Sequence, residues 1–360
     1  MKHRQTGVGR VGIINSDGHA IGLDIGATAV RAAILAPGML EGRPSVTVHG
    51  LAAVPLPPGA VVNGVVIEPA ALTAALKQLW HENKFNCHHV ILGIANQQVL
   101  VRDMQIPNLS TQQRAKALPY QAREIVALPM NQVVLDFAQL GDPDPATNMV
   151  NGLLIATPRQ PVVVAVEAVE RAGLKVARVD LASFATLRSI AEEHLSVEAV
   201  IDMGAHLTTI VIHNRGVPKL VRTLARGGAE LTVQLAEKAG MSLDEAELAK
   251  LEVGLTGQQA AVSEALSEAV RPLLAEIRSS INYFSSSNEA SRIERISLTG
   301  GASALRGFAG VLSDQIRVPT NVVTPMQHIR NRWASKQMRV EETERWASAV
   351  SVGLAMGAAA

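Results

Sequence analysis

Two short phrases carry the residues with the clearest chemical potential: Asp24-Ile25-Gly26-Ala27-Thr28 and Asp202-Met203-Gly204-Ala205-His206. Each lies within an apolar, β-branched run, over 21–34 and 200–212, that breaks at a turn of small and hydroxyl residues, which is the pattern of a β-hairpin. The aspartate falls at the tip end of the first strand. Glycine beside it lets backbone come close to a ligand and turn N–H groups toward it, while the carboxylate can hold a hydrated cation. Two such hairpins facing each other would clasp the phosphates of a nucleotide and its metal. One Asp-x-Gly alone is more often a turn cap. The matched pair favours the ligand role, and magnesium, which takes one or two protein carboxylates and keeps several waters, makes Asp24 and Asp202 the candidate metal ligands.

Thr299-Gly300-Gly301 follows an apolar run and precedes a helical pattern, where backbone can pass a flat base or sugar without an intervening side chain. Alone it is more often only a turn; third in order after two Asp-x-Gly hairpins, it is a much stronger signal. Gly227-Gly228 at a helix start is a further candidate for sugar or phosphates, and Glu247 with Lys250, three residues apart, either bracket the nucleoside or form a solvated ion pair. Asp180 stands where a strand meets a helix, as a residue orienting an attacking water or as an N-cap. His206 is a lone histidine without the companions of a transition-metal site. Neither a Gly-x-x-x-x-Gly-Lys-Ser/Thr phosphate loop nor a Gly-x-Ser-x-Gly elbow occurs.

Those residues need a large scaffold. The 360 residues fit two to four compact units, and 48% hydrophobic with 18% charged content is that of a packed globular protein. A net charge of +1 without a basic run argues against nucleic acid as the main partner. The single Cys87 excludes an internal disulfide and suits a reducing cytoplasm. Residues 1–19 are polar and glycine-punctuated, a flexible tail in expectation, and 347–360 reads as a buried helix rather than a membrane anchor.

Helices are expected over 68–83, 162–172, 181–194, 227–239, 243–251, 262–284 and 305–317, and strands over 89–95, 98–106, 133–140, 152–157, 176–180 and 295–298. Ser110 and Gln113 form a capping box opening a helix that Pro119 interrupts and that resumes to Leu128.

Two Asp-x-Gly hairpins followed by a late Thr-Gly-Gly resemble the actin, Hsp70 and sugar kinase superfamily. Within it the chain resembles the PilM family of type IV pilus assembly, relatives of FtsA. The likeness extends to Gln121-Ala122-Arg123-Glu124-Ile125-Val126-Ala127-Leu128-Pro129, Val133-Val134-Leu135-Asp136-Phe137, Leu154-Ile155-Ala156-Thr157-Pro158, Ala172-Gly173-Leu174, Val179-Asp180 and Val352-Gly353-Leu354-Ala355, and covers about 20–360. It implies an α/β, ribonuclease H-like, two-lobed actin-like ATPase fold with an inserted strand-helix-strand-strand (SHS2) subdomain. The implied division is subdomain 1A over 20–86, 176–199 and 345–360, inserted subdomain 1C over 87–175, 2A over 200–235 and 293–344, and 2B over 236–292.

It further implies ATP and Mg2+, with Asp24, Gly26, Ala27, Thr28, Asp202, Gly204 and Ala205 meeting phosphates and metal, and Gly227, Gly228, Glu247, Lys250, Gly300 and Gly301 meeting sugar and base. The implied partner is the cytoplasmic N-terminal tail of a PilN-like inner-membrane protein, docking beside the inserted subdomain, with the pilus ATPases as further candidates. The chain would then be cytoplasmic, held to the inner face of the membrane through its partner without inserting into it. His206 and Leu207 stand where small hydroxyl residues are more usual, so slow or absent hydrolysis is expected. A sugar kinase-type phosphotransferase and an FtsA-like filament former are the alternatives. The basic stretch 330–339 receives no role.

Overall fold

The computed structural model describes residues 20–40, 43–192, 194–287, 292–325, 330–331 and 342–359. The expected tail over 1–19 and most of the basic stretch 330–339 lie outside them. In chain order, the first hairpin is β1 (Ala20–Ile25) and β2 (Ala29–Leu40), followed by β3 (Arg43–Pro55), the short pair β4 (Val61–Val62) and β5 (Val65–Val66), helix α1 (Pro69–Asn83) and β6 (His89–Ile94). Next come β7 (Leu100–Pro107), α2 (Thr111–Gln121), β8 (Val133–Gln139), β9 (Met149–Pro158), α3 (Arg159–Arg171), β10 (Lys175–Leu181) and α4 (Ala182–Ile190). The second hairpin is β11 (Val197–Met203) and β12 (Thr208–Asn214), extended by β13 (Val217–Leu224). Helices α5 (Gly228–Ala239), α6 (Leu243–Glu252) and α7 (Ala260–Ser287) precede β14 (Arg295–Thr299), α8 (Phe308–Ile316), β15 (Thr320–Val322), β16 (Arg330–Asn331), α9 (Glu342–Ala347) and α10 (Ala349–Ala359).

The chain builds one sheet topology twice. In the first, β1 pairs antiparallel with β2 and β2 with β3, while β6 and β10 add on the other side in parallel. In the second, β11 pairs antiparallel with β12 and β12 with β13, while β14 and β15 add in parallel. The repeated sequence phrase therefore occupies the same place in both sheets, the tip of the central hairpin. Helices cover the sheets, as the buried parallel half of each requires. One core joins Ile201, Leu298 and Ile210 of the second sheet to Leu235, Leu266 and Phe308 on helices; the other joins Leu23, Val90 and Leu92 to Leu72, Leu76 and Ala168.

The 87–175 span divides between two sheets. Strands β7, β9 and β8 form a separate antiparallel sheet packed on α2 through Ile106, Leu118, Phe137 and Leu154, and their strand-helix-strand-strand order is the anticipated one. Flanking β6 and α3 instead belong to the first lobe: β6 pairs with β1, and Ala165, Ala168 and Val169 pack beside Leu23 and Leu76. Strand β16 likewise joins β3 in the first sheet, although it falls within 293–344. Helix α2 also departs from expectation. It runs through Pro119 to Gln121, closes in a 3-10 turn over Ala122–Glu124, and is not helical to Leu128. Proline near a helix C-terminus removes one backbone bond without a clash severe enough to stop the last turn.

Helix α10 packs between the first sheet and α4. A Cβ on Gly22 would lie 2.1 Å from the Ser351 carbonyl, and one on Gly353 would lie 1.8 Å from that of Ala185. Absence of side chains at both places lets α10 lie between β1 and α4, bringing the start of α10 to the tips of the hairpins.

Candidate functional site

Both hairpin tips open into one cleft of about 500 Å³, within the range of small-molecule sites. In the first turn the Gly26 N–H donates to the Ala29 carbonyl at 3.1 Å; in the second the Gly204 N–H donates to the Leu207 carbonyl at 2.8 Å. The same bond thus closes both turns. It leaves Asp24 and Asp202, one from each sheet, lining the same space.

Their electrostatics suit a cation. Burial pushes the Asp24 carboxyl up to about 7, with Asp202 adding to the rise and Arg31 opposing it. Burial also raises Asp202, against a hydrogen bond from the Thr186 hydroxyl at 3.1 Å and the attraction of Arg31. Two such carboxylates held in one cleft are costly when ionised unless positive charge joins them. Among the described residues there is no group of three or more His, Cys, Asp or Glu side chains placed to hold a metal. Two carboxylates that leave the remaining positions to water and phosphate match magnesium, and not a fully protein-lined metal cage.

Of the anticipated residues, Asp24, Gly26, Ala27, Thr28, Asp202, Gly204, Ala205, Gly228, Glu247, Lys250, Gly300 and Gly301 all line the cleft. Gly227 stands behind it. Its missing Cβ would lie 2.4 Å from the Gly204 carbonyl, and the N–H groups of Gly228 and Ala229 donate to the carbonyls of Gly204 and Ala205. The start of α5 is therefore used to hold the second turn in place.

Lys250, on α6, is buried and donates to the Gly228 carbonyl at 3.1 Å, the Thr232 hydroxyl at 2.8 Å and Glu247 at 2.7 Å. The ion pair with Glu247 exists, but its cationic end is not a solvated one. Leu231, Leu251 and Leu305 also line the cleft and give it apolar surface. Gly300, at φ +88°, closes against the second hairpin: its Cβ would stand 2.3 Å from Asp202 Oδ1. The Gly300 N–H and the Thr299 hydroxyl both donate to the Trp346 carbonyl, which fixes the end of α9 against the cleft.

Asp180 is not brought to the cleft. Its carboxylate accepts from Arg188 at 2.5 Å, from Arg178 at 3.4 Å and from the Leu181 N–H at 2.7 Å, the bond a local turn supplies. The expectation that it orients a water is corrected accordingly. Conversely, Arg31, Ser183, Thr186 and Glu344 line the cleft and carried no assignment. Arg31 faces Asp24 across the hairpin and makes a two-point pair with Glu344 at 2.9 and 3.2 Å. Hairpin register, read from the turn, would have placed Arg31; nothing local marks the other three.

Comparison with known proteins places this geometry. Residues 22–359 match the family described as type IV pilus assembly protein PilM. Among solved structures, a chain of a PilM-PilN type IV pilus biogenesis complex is similar at 28% identity, TM-score 0.80, with 95% of this chain and 98% of that chain covered. Ethanolamine utilization protein EutJ from Carboxydothermus hydrogenoformans follows at 14% identity and TM-score 0.56, covering 94% and 89%. MreB 5 of Spiroplasma citri bound to AMPPNP gives 13% and 0.50, covering 93% and 94%. The last two likenesses concern the actin-like fold alone.

Proposed function

Because the chain belongs to the PilM family of type IV pilus assembly proteins, we propose that it is an ATP-binding scaffold of the pilus inner-membrane platform that takes up the cytoplasmic tail of a PilN-like protein. The observation that carries the nucleotide half is the convergence of Asp24 and Asp202, from two separate sheets, on one glycine-floored cleft.

In this reading the turns at Gly26–Thr28 and Gly204–Ala205 offer backbone N–H groups to the phosphates, and Arg31 adds a cation beside them. Asp24 and Asp202 hold the metal; Mg2+, when bound, neutralises phosphate oxygens. Lys250, Glu247 and the apolar surface of Leu231, Leu251 and Leu305 receive the nucleoside, while Gly300 and Gly301 let backbone pass close to it. Every named group binds or orients, and with Asp180 tied up elsewhere no residue is assigned to activate water. The chain is accordingly read as a nucleotide-dependent scaffold with slow or absent turnover.

The partner half is supported by the solved PilM-PilN complex to which the chain is similar, and by apolar side chains left exposed on the inserted unit, Tyr120, Ile125 and Leu128. That unit reaches both lobes. Val101 and Leu153 of its sheet pack with Leu181, Phe184 and Val221, so a change in the angle between lobes on nucleotide binding would alter the surface offered to a tail. The division into subdomains 1A, 1C, 2A and 2B is kept as part of this proposal, with 1C centred on the sheet over 100–158. No helix among the described residues is long and apolar enough to cross a membrane, and a cytoplasmic place beside the membrane through the partner accords with this reading. Family membership does not favour a sugar kinase or an FtsA-like filament former.

The test is calorimetry of the purified chain with a peptide of a PilN-like cytoplasmic tail, with and without Mg-ATP. Binding whose affinity changes with nucleotide is expected. Absence of peptide binding under both conditions removes the scaffold reading.

A further inference from the structure

The inserted unit is joined to the first lobe by two chain crossings, one between β6 and β7 and one between β9 and α3. The second has no loop: β9 ends at Pro158 and α3 begins at Arg159. The first covers residues 95–99, and Asn96 folds it. Its side-chain carbonyl accepts from the Gln98 N–H at 2.9 Å and its main-chain carbonyl from the Val99 N–H at 3.2 Å, the bonds of a local turn.

The two crossings are also tied to each other. The Asn96 amide donates to the Thr157 hydroxyl at 3.1 Å, and both residues are 3% exposed. Asn96 follows a strand of the first sheet and Thr157 lies in the central strand of the inserted one, so this bond joins the two units away from water, where breaking it strands a polar group. Arg159 braces the joint from outside, donating to the carbonyls of Asn131 and Val133 at 3.3 and 3.2 Å. The joint borders the cleft. Ala95, next to Asn96, lines it together with Gly64, whose missing Cβ would lie 1.6 Å from the Ala95 carbonyl. Contact of the inserted unit with the second lobe is of another kind, since there Val221 of β13 packs on the apolar cluster of Val101, Leu153 and Leu181.

We propose that Asn96, Thr157 and Arg159 form a stiff joint that makes the inserted unit move with the first lobe, so that closure of the lobes on nucleotide is taken up as sliding at Val221. Hydrogen bonds are directional and resist bending, whereas apolar contact is non-directional and can repack, so the joint holds and the contact gives. The inference rests on the nucleotide reading above and names the place where nucleotide would reach the partner-binding unit.

The experiment is hydrogen–deuterium exchange of the full chain, without ligand and with Mg-AMPPNP. In wild type, nucleotide is expected to slow exchange at the hairpin turns, 25–29 and 203–208, and to change it by about threefold or more in 100–107 and 217–224. Thr157→Val keeps the β-branched shape and removes the acceptor, so protection of the turns should remain while the change in 100–107 and 217–224 falls below about 1.5-fold. Thr157→Ser should restore the response. Arg159→Ala, at an exposed position, should lower it by about half, and an undiminished response there overturns the inference if Thr157→Val does not fold. A wild-type chain protected at the turns but unchanged in 217–224, or a Thr157→Val chain that responds like wild type, overturns the inference and leaves the nucleotide reading standing. A wild-type chain without protection at the turns overturns that reading, and this inference with it.

Discussion

A Cβ on Gly300 would stand 2.3 Å from Oδ1 of Asp202, so the late glycine and the second carboxylate share a space that only a bare backbone can vacate. Gly300 also holds φ at +88°. Gly300→Ala must therefore strain the backbone and push on Asp202 together, and a loss of about 2 kcal/mol or more in stability is expected, with loss of Mg-ATP binding. Next to it, a Cβ on Gly301 would meet only the Ala347 Cβ, at 3.9 Å. Gly301→Ala is thus expected to stay within about 0.5 kcal/mol of wild type in denaturant unfolding. Equal effects at the two glycines would refute the packing argument.

Asp24 makes the ligand-free chain sensitive to pH. Its folded carboxyl is raised from 3.8 to about 7, so the folded state binds that proton more tightly than the unfolded one. Stability should fall as pH rises through this interval, by as much as about 4 kcal/mol. Asp24→Asn is expected to melt higher than wild type at pH 8 in the absence of ligand, yet to lose stabilisation by Mg-ATP. A variant that melts lower at pH 8 would contradict the assignment.

Glu198 should behave in the opposite sense. It is fully buried, and burial works against its charge, but hydrogen bonds from His213, the Glu192 N–H, Ser297 and Arg295 outweigh that and bring the carboxyl from 4.5 down to about 2. The stability it contributes is complete above 4.5 and is lost as pH falls toward 2, amounting to about 3 kcal/mol. Glu198→Gln should remove this part of acid unfolding and, by giving Arg295 a neutral acceptor in place of a carboxylate, lower stability at neutral pH. Unchanged acid unfolding in the variant would count against it.

Arg31 divides its guanidinium between Glu344 and the cleft. If phosphates compete with Glu344 for it, Glu344→Gln should tighten nucleotide binding by roughly threefold to tenfold and Arg31→Ala should weaken it by more. Calorimetry in which Glu344→Gln weakens binding would show that the pair supports the site instead of competing with it.

Asp180 supplies a control. Held by Arg188, Arg178 and the Leu181 N–H, it has a structural place. Asp180→Asn is expected to cost about 1–3 kcal/mol in stability without altering nucleotide affinity. A loss of ATP binding in a variant that melts like wild type would restore the role first expected of it.

The sequence by itself determined what is local. Alternating apolar runs that end in Asp-x-Gly make hairpins wherever they stand, and the capping boxes at Ser110–Gln113 and Ser242–Glu245 fix helix starts through bonds within four residues. It also supplied the matched pair of turns, since both are closed by the same short bond. The tertiary structure alone decided which side of each local feature faces the ligand. Asp180 and Ser183 are three residues apart, yet Asp180, at the end of β10, pairs with Arg178 and Arg188, while Ser183, in the first turn of α4, lines the cleft. Glu344 reaches Arg31 from 313 residues away, and β6 leaves its sequence neighbours to join β1. Such contacts arise from burying apolar faces between distant elements, where no nearby residue records the outcome.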